Sequence, residues 1–157
     1  MKTTILACGK LSHAYLNEGV AHYLQKLKHY AAVELVELNL KKGQAFEDEK
    51  IQQQTESDLF LAKLKPTDFV VLLDEKGKQM SSVLFADYLQ KQMNAGRSHI
   101  VFCIGGSFGF SEKLYARADQ SLSFSQLTFN HQMFRLIFLE QLYRAHSILK
   151  NEPYHHG

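Results

Sequence analysis

The sequence predicts an α/β fold: a mostly parallel sheet with helices on both faces. Three observations predict it. Short apolar runs alternate with amphipathic stretches along the whole chain, the pattern of strand-helix units returning to one sheet. Two of the runs, residues 69–73 and 100–104, are apolar at every position, as strands covered on both faces must be. No repeat, low-complexity tract or linker interrupts the 157 residues, so a single domain spanning 1–157 is expected, large enough to bury a real core.

Each element follows in order. Residues 4–8 form the first strand. From Ser12 onward, Leu16, Val20, Leu24 and Leu27 recur at helical spacing and stop before Tyr30. Val33, Leu35 and Val36 set against Glu34 and Glu37 give a half-exposed strand over 33–38, and the polar residues 41–49 form a surface loop. The second helix places Ile51, Thr55, Leu59 and Ala62 on one face, and Pro66 ends it. After the strand at 69–73, Asp74-Glu75-Lys76-Gly77-Lys78 is expected to be a loop. Ser81 or Ser82 caps a third helix carrying Leu84, Phe85, Tyr88, Leu89 and Met93, closed by Gly96. The strand at 100–104 runs directly into Gly105-Gly106-Ser107-Phe108-Gly109. A short helix from Ser111, a short strand near 121–124 and a long helix over about 130–150 complete the chain, with Asn130 as the N-cap of the last.

Composition narrows the class. No apolar run approaches the roughly 18 residues of a membrane helix, and the N-terminal apolar stretch is too short for a secretory signal. A cytoplasmic protein is expected. Cys8 and Cys103 both lie in apolar runs and read as buried reduced thiols. The formal charge is only +2, with all four arginines (Arg97, Arg117, Arg135, Arg144) in the second half. That is weak for a protein that grips naked nucleic acid.

Ligands of parallel α/β sheets bind at the C-terminal ends of the strands. Three candidate segments lie there: 73–78, 105–109, and the hydroxyl-rich Ser121-Leu122-Ser123-Phe124-Ser125-Gln126-Leu127-Thr128-Phe129. The glycine segment is neither a G-x-G-x-x-G fingerprint nor a P-loop, though paired glycines permit close backbone approach to a ligand. His131 alone reads as a structural histidine. Glu140 and Arg144 stand four apart in the favourable order for an ion pair. The last helix carries Met133, Phe134, Leu136, Ile137, Phe138, Leu139, Leu142 and Tyr143 in nearly every direction, more than one buried stripe requires. A symmetric dimer through this helix is expected. Pro153 turns the chain out of the helix before Tyr154, His155 and His156. No partner at ligand spacing makes the two histidines a metal site.

Taken together, ILACGK (5–10), LLDEKGK (72–78), FCIGGSFG (102–109), LSFSQLTFNHQMFR (122–135), EQLYRA (140–145) and NEPYH (151–155) resemble one family. This is the small SPOUT-class methyltransferases that modify pseudouridine in large-subunit ribosomal RNA, subfamily H. The pieces span the chain in the family's order. The resemblance implies a C-terminal trefoil knot in about 69–157 that forms the cofactor pocket, a fold that pattern alone would reject, and a homodimer that completes the active site. It implies S-adenosylmethionine as cofactor, held by Leu73, Gly105, Phe124, Ser125, Gln126, Leu127, Thr128 and Phe129. Asn130 stands where a proline is common in the family, and the ending His155-His156-Gly157 replaces a basic residue after the histidine.

The implied chemistry is methyl transfer to N3 of a pseudouridine, on the assembled ribosome. A sulfonium carries an already activated methyl group, so the protein mainly aligns the reactants. The imide nitrogen must lose a proton, for which His155, Tyr154 and Glu140 are the candidate acceptors. Arg135 and Arg144 would contact substrate or phosphate. Tyr154 and His155 are expected to serve the partner subunit's site. No metal and no membrane partner are expected. The rivals are a non-catalytic ribosome- or RNA-binding factor and another nucleotide-dependent α/β enzyme, such as an oxidoreductase.

Overall fold

The computed structural model describes residues 1–157. Five strands alternate with five helices: β1 (Lys2–Cys8), α1 (Ala14–Leu27), β2 (Val33–Leu38), α2 (Glu49–Lys63), β3 (Phe69–Gln79), α3 (Ser82–Asn94), β4 (His99–Ile104), α4 (Glu112–Arg117), β5 (Gln120–Ser123) and α5 (His131–Leu149). The strands form one sheet in the order β2-β1-β4-β3-β5, and every pairing is parallel. The parallel sheet and its layers agree with the sequence reading.

Alternation along each strand divides the core in two. Ile5, Ala7, Val71, Ile100, Phe102 and Ile104 point to a layer made by α1, α3 and α5, where Leu16, Phe85, Phe138 and Leu142 meet them. Leu6, Val70, Leu72, Val101 and Cys103 point to the opposite layer, where α2 and α4 bring Phe60 and Leu114. The period-2 register of the strands therefore explains why runs such as 100–104 are apolar throughout. Cys8 and Cys103 are both free and buried.

Three helices start where the sequence placed a cap. The Ser81 and Ser111 hydroxyls accept from Leu84 N and Leu114 N. The Asn130 side chain accepts from Gln132 N at 2.9 Å and from Met133 N at 3.4 Å. Each satisfies donors that a helix N-terminus leaves orphaned.

Three details differ from the sequence reading. Residues 74–78 are not a loop but a continuation of β3. The register slips there, so that both Leu73 and Lys78 pair with Leu122, and Gly77 lies so close that a Cβ would come within 2.6 Å of the Leu122 backbone. The inward face of α2 is Glu56, Ser57 and Phe60, whereas Ile51 is exposed; apolar spacing misled because α2 buries polar groups. Finally, α5 packs between α1 and α3, so part of its apolar circumference is covered within the chain. Leu136 approaches α1 at Gly19, where a Cβ would meet its Cδ1 at 2.9 Å.

Candidate active site

At the C-terminal ends of β3, β4 and β5, three segments converge on one cavity of about 980 Å³, the upper end of the ~300–1,000 Å³ typical of small-molecule sites. Residues 73–76, 104–110 and the stretch from Phe124 to Phe134 form its walls, with Glu49, Lys50 and Gln53 of α2 at one side. Of the cofactor residues named from sequence, Leu73, Gly105, Phe124, Ser125, Leu127, Thr128 and Phe129 all line it, and Gln126 does not.

Local chemistry fixes these walls. The Ser125 hydroxyl accepts from Leu127 N at 2.9 Å, and its carbonyl accepts from the Ser123 hydroxyl at 3.0 Å, folding the segment back on itself. Thr128 Oγ1 donates to Glu75 Oε2 at 3.2 Å, tying the segment after β5 to the slipped end of β3. The Tyr115 hydroxyl donates to Asp74. Phe124 is anchored from below by edge-on contacts to Phe85 and Phe138, with centroids 5.0 and 5.3 Å away. The glycine turn closes on itself through a bridge between Gly106 and Gly109, and Gly109 has φ +72°, a conformation that favours glycine.

His131, which sequence reasoning set aside as structural, lines this cavity from the first turn of α5. Burial and then the nearby Arg135 charge hold its pKa below the usual imidazole value, with Glu56 opposing. Its signal in the sequence was position alone: the residue after the cap of a helix that begins at the strand ends.

The other predicted residues gather elsewhere. Tyr154 donates its hydroxyl to Glu140 Oε1 at 3.1 Å and lies 3.3 Å from the Tyr23 hydroxyl. Its ring packs edge-on against Tyr143, with centroids 4.7 Å apart, and the Arg144 guanidinium stacks on it at 4.8 Å. Arg144 also binds Glu140, which raises the arginine's pKa further. His155 Nδ1 faces Arg144 Nη1 at 3.4 Å; since arginine only donates, Nδ1 accepts and the ring hydrogen resides on Nε2. The Tyr154 hydroxyl is pushed to a higher pKa by burial first, then by its bonds with Tyr23 and Glu140. The tail is thus docked on α1 and α5.

Arg135 joins neither group's surface. It is fully buried, donates from Nη2 to the Cys8 carbonyl at 2.6 Å, and leaves Nε and Nη1 without partners. No cluster of three or more metal-ligating side chains is present.

Comparison with known proteins decides the family. A model described as "Predicted SPOUT methyltransferase" matches residues 1–155. The chain belongs to the SPOUT methyltransferases. Its relatives include proteins named Ribosomal RNA large subunit methyltransferase H from Christiangramia forsetii, 48% identical with 99% of both chains covered, and Parabacteroides distasonis, 44% identical over the same shares. The relative of that name from Carboxydothermus hydrogenoformans is 43% identical, again over 99% of each. A probable methylase family protein from Haemophilus influenzae shares the fold, with a TM-score of 0.54, 12% identity, and 99% of this chain and 70% of that chain covered.

A SPOUT methyltransferase draws its methyl group from S-adenosylmethionine, and the residues around this cavity fit that cofactor. Gly105 leaves a face that a side chain would fill, since a Cβ would already lie 3.1 Å from the Phe110 ring. Leu73 and Phe124 supply apolar walls, and Ser125 and Thr128 supply polar groups beside them.

Proposed function

We propose that this SPOUT methyltransferase methylates N3 of a pseudouridine in large-subunit ribosomal RNA, as a homodimer acting on the assembled ribosome. The observation that carries the reading is the cavity shared by residues 73–76, 104–110 and 124–134, in a chain whose full-length relatives bear an rRNA methyltransferase name. Leu73, Gly105 and residues 124–129 hold the cofactor, and residues 69–157 form the trefoil knot around it. Supporting the knot, β5 and α5 come last in the chain, yet β5 pairs with β3 and α5 returns beneath the sheet between α1 and α3.

The dimer follows from a separation. Phe134 lines the cavity and Arg144 lies ten residues farther along α5, about 15 Å at the helical rise. One chain's docked tail therefore sits well away from its own cavity, and a second copy brings the two together. Leu127 at the cavity mouth leaves 72% of its surface exposed, a face for that second copy to cover.

When bound, S-adenosylmethionine supplies an activated methyl group; the chain's own residues orient the base and manage one proton. Tyr154 keeps its proton and serves as a hydrogen-bond donor or stacking platform. Glu140 is already engaged by Arg144, Gln141 and Tyr154, which leaves it positioning the other two. His155 is the proton acceptor, through the nitrogen that faces Arg144, which can reorient toward substrate. Arg144 contacts a phosphate or the base, and Arg135 acts from inside the fold. Methylation of purified ribosomes with labelled cofactor, followed by mapping of the modified nucleotide, tests the reading. Label at N3 of one pseudouridine of the large subunit supports it; label elsewhere, or none, overturns it.

A further inference from the structure

Helix α2 turns three polar side chains inward, two onto the glycine turn that forms one cavity wall and one onto the Ser111 cap that follows it. Gln53 Nε2 donates to the Phe108 carbonyl at 2.7 Å. Ser57 Oγ accepts from Ser111 N at 2.9 Å. Between them, the Glu56 carboxylate lies under Gly106, where a Cβ would meet Oε2 at 2.6 Å. Spacings of three and four residues put these side chains on one face of the helix.

Glu56 is the unusual member. It is 5% exposed; Gln52 Nε2 donates to Oε1 at 2.9 Å, while Oε2 has no partner. Arg135 is also buried, at 0% exposed with Nε and Nη1 unpartnered, and the acidic side chain that acts on it is Glu37. The two charges act with opposite sign on the same neighbours. Glu56 raises and Arg135 lowers the pKa of the Cys8 thiol, which burial chiefly pushes up to about 12. On His131 their effects are again opposed. Arg135 reaches the Cys8 carbonyl and stands one helical turn from His131 on α5. A buried carboxyl group costs desolvation that an apolar side chain would avoid, and the Cys8 thiol and the Gln52 amide are its polar neighbours.

We propose that Glu56 is a positioning residue for the cofactor: its carboxylate supports the Gly105–Gly106 turn from beneath. The proposal rests on the cofactor placement given above. A role in shape alone would be met equally by glutamine, which has the same outline and can keep a bond to Gln52.

The test is calorimetric binding of S-adenosylhomocysteine to the full-length protein, with melting temperatures recorded for each variant. Glu56→Gln should fold and bind about tenfold more weakly. Gly106→Ala should bind more weakly still, but should cost nothing further once Glu56→Ala has removed the carboxylate its methyl group would meet. Such non-additivity marks direct coupling. Parental affinity in Glu56→Gln or strictly additive losses would each overturn the proposal alone. Parental affinity in Gly105→Leu would overturn the cofactor placement beneath it.

Discussion

The hydroxyl of Tyr154 donates to Glu140 Oε1 across 3.1 Å, so the end of the chain is fastened to the middle of α5. Removing residues 153–157 takes away Tyr154 and His155 but no residue of the cavity. Truncation after Glu152 should leave the fold and the cofactor affinity nearly intact. Methyl transfer to ribosomes should fall at least tenfold, about 1.4 kcal/mol of transition-state stabilisation, and His155→Ala should account for part of the loss. Full-length rates from the truncated enzyme would remove the tail from the active site.

Gly105→Leu should abolish binding of S-adenosylmethionine and of its demethylated product. The first added carbon would lie 3.1 Å from the ring of Phe110, and Gly105 and Phe110 both line the cavity, so the larger side chain displaces that wall. Calorimetry reads the loss directly. Thermal shift gives the same answer, since a ligand stabilises only the state that binds it.

Ile137→Glu should weaken the dimer. The residue is half-buried on α5 and absent from the apolar cluster under the sheet, so the substitution spares the chain's own core. Light scattering at micromolar concentration should give twice 18.0 kDa for the parent and a smaller mass for the variant. A parent of single mass would refute the composite site.

Stability should fall as pH drops below about 6.5. Burial, helped by Lys150, depresses the His146 pKa from 6.5, and burial followed by Arg135 does the same to His131. The unfolded chain takes up protons that the fold resists, so the stabilisation present above 6.5 is lost as pH decreases. His146 stacks on Tyr30, with centroids 5.7 Å apart, and its charged form meets the like charge of Lys150. Urea midpoints at about pH 7.5 and about pH 5.5 should differ in the parent and differ less in His146→Gln. Equal differences in both proteins would contradict the assignment.

The assembled ribosome should be methylated faster than deproteinised rRNA. A net charge of +2 supplies little of the phosphate-driven affinity on which naked RNA binding depends. Equal rates on the two substrates would show that local basic contacts suffice.

Much of this architecture was legible because it rests on period and caps. The runs at 69–73 and 100–104 are apolar on both faces, and both faces are covered; Ser81, Ser111 and Asn130 cap the helices they precede. The segments 73–78, 105–109 and 121–129 follow from the rule that ligands bind at strand ends, and the family resemblance narrowed them to Leu73, Gly105 and 124–129, of which Gln126 does not line the cavity. What pattern missed was polar burial. Glu56 and Ser57 look like a solvated face in the sequence, and only the glycine turn above them explains their orientation. The slip in β3 was hidden for a similar reason: Asp74 to Lys78 has loop composition, and its strand pairing is imposed by Leu122 from a distant part of the chain.

The placement of β5 and α5 at the end of the sequence has a consequence for how the enzyme comes into being. While the chain is being made, β1 to β4 can assemble as soon as they emerge, but one wall of the cavity is still unsynthesised until Phe134 has left the exit tunnel. Tyr23 must then wait for Tyr154, 131 residues later, before the tail can dock. Long-range closures of this kind are slow steps of refolding. The nascent protein therefore completes its α1–α3–α5 layer only once Phe138, Leu139 and Leu142 have emerged, and its tail docks last, so a chain interrupted before α5 lacks both a cavity wall and part of its core.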